Sequence, residues 1–220
     1  MKTKQRDWIE VVYEDLDLIV IEKPSGIITY PVDPHIKNSA IQLIRRVWRK
    51  QGRSDSHLYL VHRIDQETSG LLVFAKTTLA RKSLQDQFSR HTLLRQYLAV
   101  TDGIPKDIKG EIRTFLGRNF RGKRSVAFAG KQAVTNYVVL RQNRATNRGL
   151  VLCRLQTGRT HQIRIHLAHL GAPVLGDAVY GKKRSGRLAL HASTLGLIHP
   201  RTRAPLLLYS SPPPEWRNLV

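Results

Sequence analysis

The chain has 220 residues, 41% of them hydrophobic and 24% charged, the balance of an ordinary globular protein large enough to bury its own core. Lys and Arg number 37 against 16 Asp and Glu, a formal charge of +21. No apolar run approaches the roughly 18–20 residues that span a bilayer. The start, MKTKQRDW, has no signal-peptide core, and Cys153 is the one cysteine, so disulfides are excluded and a cytoplasmic location is expected.

The charge is unevenly spread. Residues 1–110 hold 18 basic and 13 acidic side chains, and residues 111–220 hold 19 and 3. Across residues 112–176 there is no acid, but there are twelve Arg or Lys. A surface that repels itself in this way implies a polyanionic partner, and nucleic acid fits better than a membrane because no basic amphipathic helix is visible.

In chain order, WIEVVYEDLDLIVIEKPSG reads as two short strands around a polar turn at residues 14–17, closed by a Pro-Ser-Gly loop. SAIQLIRRVWRKQG places Ile41, Ile44 and Trp48 on one helical face behind a Ser39 cap. LYLVHRID and GLLVFAK read as strands joined by the polar turn QETS, and Leu84 and Phe88 are spaced for a helix over residues 77–90. RQYLAVT, EIRTFL, AVTNYVVL and LVLCRLQ follow as strands. RTHQIRIHLAHLG reads as a helix with Ile163, Leu167 and Leu170 as its buried stripe and Gly171 as its stop. LALHASTLGLIH and APLLLYS close the pattern as strands. Strands outnumber helices and most links are hairpin-length, so an α+β domain on a mostly antiparallel mixed sheet with flanking helices is expected. It covers residues 1–220 as one domain, with a basic N-terminal tail (1–7) and a detachable Pro-rich C-terminal tail (210–220).

The usual catalytic equipment is missing. The nine histidines form no HExxH and no ligand pattern of common spacing, and GxxxxGK[ST], GxGxxG and GxSxG do not occur. What remains is Asp65, at the end of an apolar strand beside His62 and Arg63. A carboxylate held by cations there serves as nucleophile or base, or else it caps the QETS turn and pairs with Arg63. Arg164 is the one cation within the apolar part of its helix, either the partner of a buried carboxylate or a solvated arginine. Tyr97 is a candidate or a core aromatic. Phe115, Phe120 and Phe128 alternate with Arg118, Arg121, Lys123 and Arg124, which suits stacking on unpaired bases with a grip on phosphates, unless the aromatics pack inward.

Together these segments resemble the RluA-type RNA pseudouridine synthases. The match runs from about Ile9 to about Tyr209 through EKPSGIITYP, HRIDQETSGLLVFAKT, RQYLAV, LQTGRTHQIRIHLAHLGAPVLGDAVYG and LALHASTLGLIHP. The resemblance implies a pseudouridine synthase fold with a central catalytic cleft, and conversion of a uridine in folded rRNA or tRNA to pseudouridine after the base is flipped out. It implies Asp65 as the essential residue, Tyr97 packed on the target base and Arg164 paired with Asp65. His62, Arg63, Thr160 and His161 would contact the substrate, and Leu190 (or Leu188) would line the pocket. It also implies no cofactor, no metal, no obligatory protein partner and a monomer. An S4-like module has no room before Ile9, and Thr29-Tyr30-Pro31 departs from the family's usual histidine before that proline. A non-catalytic RNA-binding or assembly factor on the same fold is the alternative.

Overall fold

The computed structural model describes residues 9–31, 33, 38–53, 57–120, 122–181 and 186–220, so the tail at 1–7 and Arg121 lie outside the described residues. The chain divides into two compact units: Met1–Leu93 with Gly196–Ser210, and Leu94–Leu195 with Ser211–Val220. Both are α+β.

In the first unit, β1 (Glu10–Glu14) and β2 (Leu18–Lys23) form the expected hairpin, and β2 also pairs antiparallel with β4 (Ser69–Ala75). The register sets Ile19 opposite Phe74 and Ile21 opposite Leu72, so one face of the pair is continuously apolar. Helix α1 (Ala40–Lys50) covers that face with Ile41, Leu43, Ile44 and Trp48. A capping box fixes its start: the Ser39 side chain accepts from the Gln42 N–H, and the Gln42 side chain accepts from the Ser39 N–H. Helix α2 (Thr78–Ser89) is capped by Thr77 and buries Ala80 and Leu84.

The strand expected over LYLVHRID is shorter than its composition suggests. Only Tyr59–Leu60 pair, as β3 against β4. The reason is local: side chains take the backbone groups that a ladder would use. His62 Nε2 accepts the N–H of Val73 at 3.2 Å, and the Thr29 hydroxyl serves both the N–H and the C=O of Ile64.

The second unit is built on β5 (Leu94–Asp102), β6 (Lys109–Arg118), β7 (Arg124–Val126), β8 (Lys131–Asn143) and β9 (Arg148–Leu155), with spatial order β5-β9-β8-β6-β7 and antiparallel pairs throughout. Tyr97, Cys153 and Tyr137 form one cross-strand row and Ala99, Val151 and Val139 another, packed with Ile163 and Leu167 of α3 (Gln162–His169). The C-terminus of α3 is a Schellman motif: Ala172 N–H donates to Leu167 O, Gly171 N–H to Ala168 O, and Gly171 takes φ +75°. Strand β10 (Leu190–Ile198) begins in this unit and ends in the first, where β11 (Pro205–Tyr209) pairs with it.

The C-terminal residues are not detachable. A 3₁₀ turn (Pro214–Asn218) sets Trp216, 5% exposed, into the core of the second unit, edge-on to His191, while Leu219 and Val220 pack beside it.

Candidate active site

Asp65 opens a tight turn in the first unit, its carbonyl accepting the Thr68 N–H at 3.2 Å. The residues around it are tied to the loop after β2. Thr29 Oγ1 donates to Ile64 O (3.0 Å) and accepts from Ile64 N–H (3.3 Å). Gln66 O accepts from Lys23 Nζ (3.0 Å) and from Gly26 N–H (2.8 Å), the Gln66 amide returns a bond to Gly26 O, and Ser25 Oγ donates to Glu67 O (2.6 Å). Lys23 is fully buried, and its ammonium also donates to Pro24 O and Ile27 O. Three carbonyls match its three N–H donors, which offsets the cost of removing the charge from water. The backbone on both sides of Asp65 is thus immobilised by residues 23–29, while the Asp65 side chain is half-buried. His62 stacks on Phe88 at 4.3 Å with its Nε2 committed to Val73, and Arg63 is exposed.

In the second unit α3 is buried on every side over residues 162–167, so each polar group in that run needs a partner. Gln162 accepts from the Thr157 hydroxyl and the Arg159 N–H and donates to Val134 O and Thr135 Oγ1. His166 lies between Thr135 Oγ1 (2.9 Å) and Thr114 Oγ1 (3.0 Å). Burial, with help from nearby His169, lowers its pKa to about 4, so the ring is neutral at pH 7.

Arg164, 3% exposed, meets Asp177, 0% exposed, side-on: Nε to Oδ2 at 2.7 Å and Nη2 to Oδ1 at 2.9 Å. Asp177 Oδ1 also accepts the N–H groups of Val179 and Tyr180. Burial alone would raise the Asp177 pKa, but the Arg164 bond and those two N–H groups outweigh it and hold the carboxyl below its ordinary value. The turn around Asp177 depends on Gly176, at φ +75°, where a Cβ would lie 2.2 Å from Arg187 O. Tyr180 follows, with the Arg164 guanidinium 5.4 Å from its ring centre and its hydroxyl 3.0 Å from His161 Nδ1. The guanidinium spends two of its five N–H donors on Asp177.

Tyr97 is buried in β5. Arg95, two residues earlier on the same strand face, is also buried, and burial pulls its pKa down against the attraction of Tyr97. Its guanidinium lies against Gly158, where a Cβ would stand 2.7 Å from Arg95 Nη1. Leu188 and Leu190 are both 3% exposed in the same core.

Among the described residues, Asp15, Asp17 and His199 come together as a grouping of metal-ligand types. Their oxygens are already taken. Asp15 accepts from the N–H groups of Asp17 and Leu18, from Tyr13 and from His199, and Asp17 accepts two bonds from Arg201 and one from Thr77. A cation would have to displace a guanidinium, so this is an ion-pair cluster.

Residues 17–169 match the family model described as RNA pseudouridylate synthase. The chain belongs to that family. It is 37% identical over 215 residues to the uncharacterized RNA pseudouridine synthase YhcT of Bacillus subtilis, covering 96% of this chain and 71% of that one. It is 36% identical over 212 residues to ribosomal large subunit pseudouridine synthase D of Zymomonas mobilis, covering 87% and 65%. Human RNA pseudouridylate synthase domain containing 1 superposes with a TM-score of 0.81 at 25% identity over 97% of this chain and 87% of that one. The reaction of this synthase is accordingly the isomerisation of uridine in RNA to pseudouridine.

Of the residues expected at the synthase site, Asp65, His62 and Arg63 lie in the first unit and Tyr97, Thr160, His161, Arg164 and Leu190 in the second. The solvated-arginine reading of Arg164 is overturned by its burial. Its partner Asp177 was not foreseen, although it is the first acid after the long acid-free stretch. Lys23, Thr29, Arg95 and Tyr180 were also missed; each falls inside a recognised element, but only packing reveals its burial or bonds. The inward-packing alternative for the aromatics fails, because Phe120 and Phe128 are 92% and 108% exposed.

Proposed function

We propose that this synthase modifies uridines in structured rRNA or tRNA with Asp65 as the essential carboxylate. The observation that carries this reading is the clamp of residues 23–29 on the backbone either side of Asp65, a rigid mount for a side chain left half-buried. A ribosomal substrate is supported by the similarity to enzymes named for the large subunit.

The reaction breaks the C1′–N1 bond and joins C1′ to C5, with the C5 proton lost to solvent and a proton taken up at N1. Atoms and redox state balance without a cofactor. The Asp65 carboxylate adds to the uracil ring or takes part at C1′. Arg164, anchored by its two bonds to Asp177, is the arginine that supports catalysis. Tyr97 packs on the everted base, with Leu190 in the pocket wall, and Arg63, His62, Thr160 and His161 hold the strand. Extruding the base costs on the order of a few kcal/mol. Phosphate contacts from the basic surface supply it, which makes binding salt-dependent. The exposed Phe120, between Arg118 and Lys123, and Phe128, beyond Arg124, suit unpaired nucleotides. The enzyme works as a cytoplasmic monomer without metal, on one catalytic domain spanning residues 1–220.

The test is tritium release from RNA labelled with 5-³H-uridine. Asp65→Asn is expected to fold and bind RNA without releasing tritium, and turnover by that variant removes Asp65 from the mechanism. Release by the wild type that persists in EDTA is expected, and its complete absence on total transcript RNA would favour the assembly-factor alternative. Pseudouridine mapping of cellular RNA with and without the gene identifies the uridine.

A further inference from the structure

We propose that Lys123 and Tyr180 are positioning residues that latch the basic hairpin to the Arg164 site, so that seating the hairpin on RNA sets the arginine for turnover. The proposal rests on the reading of Arg164 given above. The hairpin tip is a built turn: Asn119 N–H donates to Lys123 O (2.8 Å), Gly122 N–H to Asn119 O (2.9 Å), Lys123 N–H to Asn119 Oδ1 (3.0 Å), and Arg118 Nη1 to Gly122 O (2.8 Å). From that turn Lys123 Nζ donates to Val179 O at 2.6 Å and sits 5.0 Å from the centre of the Tyr180 ring.

The same ring is 5.4 Å from the Arg164 guanidinium and packs against Leu116, Ala133 and Ile165, at the base of the hairpin and on α3. Two cations therefore share one aromatic ring. Each is attracted to its quadrupole, and the backbone on which the ring is mounted is folded around Asp177 by the Val179 and Tyr180 N–H groups. Moving the hairpin tip moves the lysine, and with it the peptide carrying Val179 O, next to an N–H that Asp177 uses to hold Arg164. A lysine serving only to grip phosphate would need neither contact.

The experiment measures kcat, KM and the salt slope of RNA binding for Lys123→Met, Lys123→Arg and Tyr180→Leu. Lys123→Met and Tyr180→Leu are each expected to lower kcat about tenfold with KM within about twofold. Their double variant is expected to be little worse than either alone, because both break one linkage. Lys123→Arg, which keeps a cation over the ring, recovers most of kcat. Lys123 is exposed, so its variants decide the matter even if Tyr180→Leu unfolds. A rise in KM alone, with the salt slope reduced by about one, makes Lys123 a phosphate contact and overturns the proposal, as does no change at all. Arg164→Met separates the two ideas: if it retains full turnover, the reading of Arg164 fails, whereas an inactive Arg164→Met beside a KM-only Lys123→Met sinks the latch and leaves that reading intact.

Discussion

The hydroxyl of Thr29 closes a two-way bridge on Ile64, donating to its carbonyl at 3.0 Å and accepting its N–H at 3.3 Å, and Ile64 is the residue immediately before Asp65. Thr29→Val keeps the shape and removes the hydroxyl, leaving two buried backbone groups unsatisfied. A stability loss of about 1–3 kcal/mol is expected in urea denaturation. Turnover is expected to fall about tenfold through misplacement of the carboxylate, with recovery in Thr29→Ser. Unchanged kcat in the valine variant would mean that this loop does not position Asp65.

Replacing Arg164 tests the other anchor. In Arg164→Met, Asp177 loses its guanidinium inside the protein, and breaking such a pair costs about 3–5 kcal/mol. Burial then dominates and raises the Asp177 pKa, so the penalty relative to wild type shrinks as pH falls from 8 to 5 and the carboxyl takes up a proton. Denaturation midpoints across that range check it; a penalty independent of pH would show Asp177 still ionised.

His166 predicts a pH dependence of the intact protein. Its folded pKa of about 4 lies below the ordinary value of 6.5. The unfolded chain therefore binds a proton first as pH drops, and stability declines between 6.5 and 4, by up to about 3 kcal/mol. Below 4 both states are protonated at this site and its contribution stops changing. The depressed carboxyls Asp17 and Asp177 act in a lower window, their stabilisation being lost as pH falls below about 4. His166→Asn is expected to flatten the slope between pH 6.5 and 4 in urea titrations. A slope equal to the wild type's would assign it to another group.

Trp216 provides a test of the C-terminal packing. Trp216→Ala is expected to cost about 3–5 kcal/mol, as for other aromatics removed from cores. A shift below 1 kcal/mol in thermal or chemical melts would return these residues to the status of a tail.

What was legible in the sequence was whatever local pattern decides. The Ser39 cap, the strand patterns of β5, β6, β8 and β9 and the glycine stop of α3 are set by neighbours a few residues apart, and they match the structure, whereas the short β7 carries no such pattern. Asp65, Tyr97 and Arg164 stood out through the motifs around them. The misreadings share one cause, side chains arriving from far along the chain. A strand was expected through Asp65 because its residues are apolar, yet the Thr29 hydroxyl bonds both backbone groups of Ile64 and the His62 ring takes the Val73 N–H a ladder would use. A one-faced α3 was expected from Ile163, Leu167 and Leu170, yet Gln162, Arg164 and His166 on its other faces are buried with partners on β8 and in the turn at 177–180. The Pro-rich end looked dispensable because prolines are common in linkers, and one tryptophan overrode them.

The path of the chain through its two units has a bearing on biosynthesis. Residues 196–210 complete the first unit and residues 211–220 the second, after each has received its larger segment. A nascent chain stalled at residue 195 holds neither in finished form. Folding on the ribosome would consequently stay provisional until residues 196–220 clear the exit tunnel, and a message cut short before them would yield two incomplete units in place of one working half.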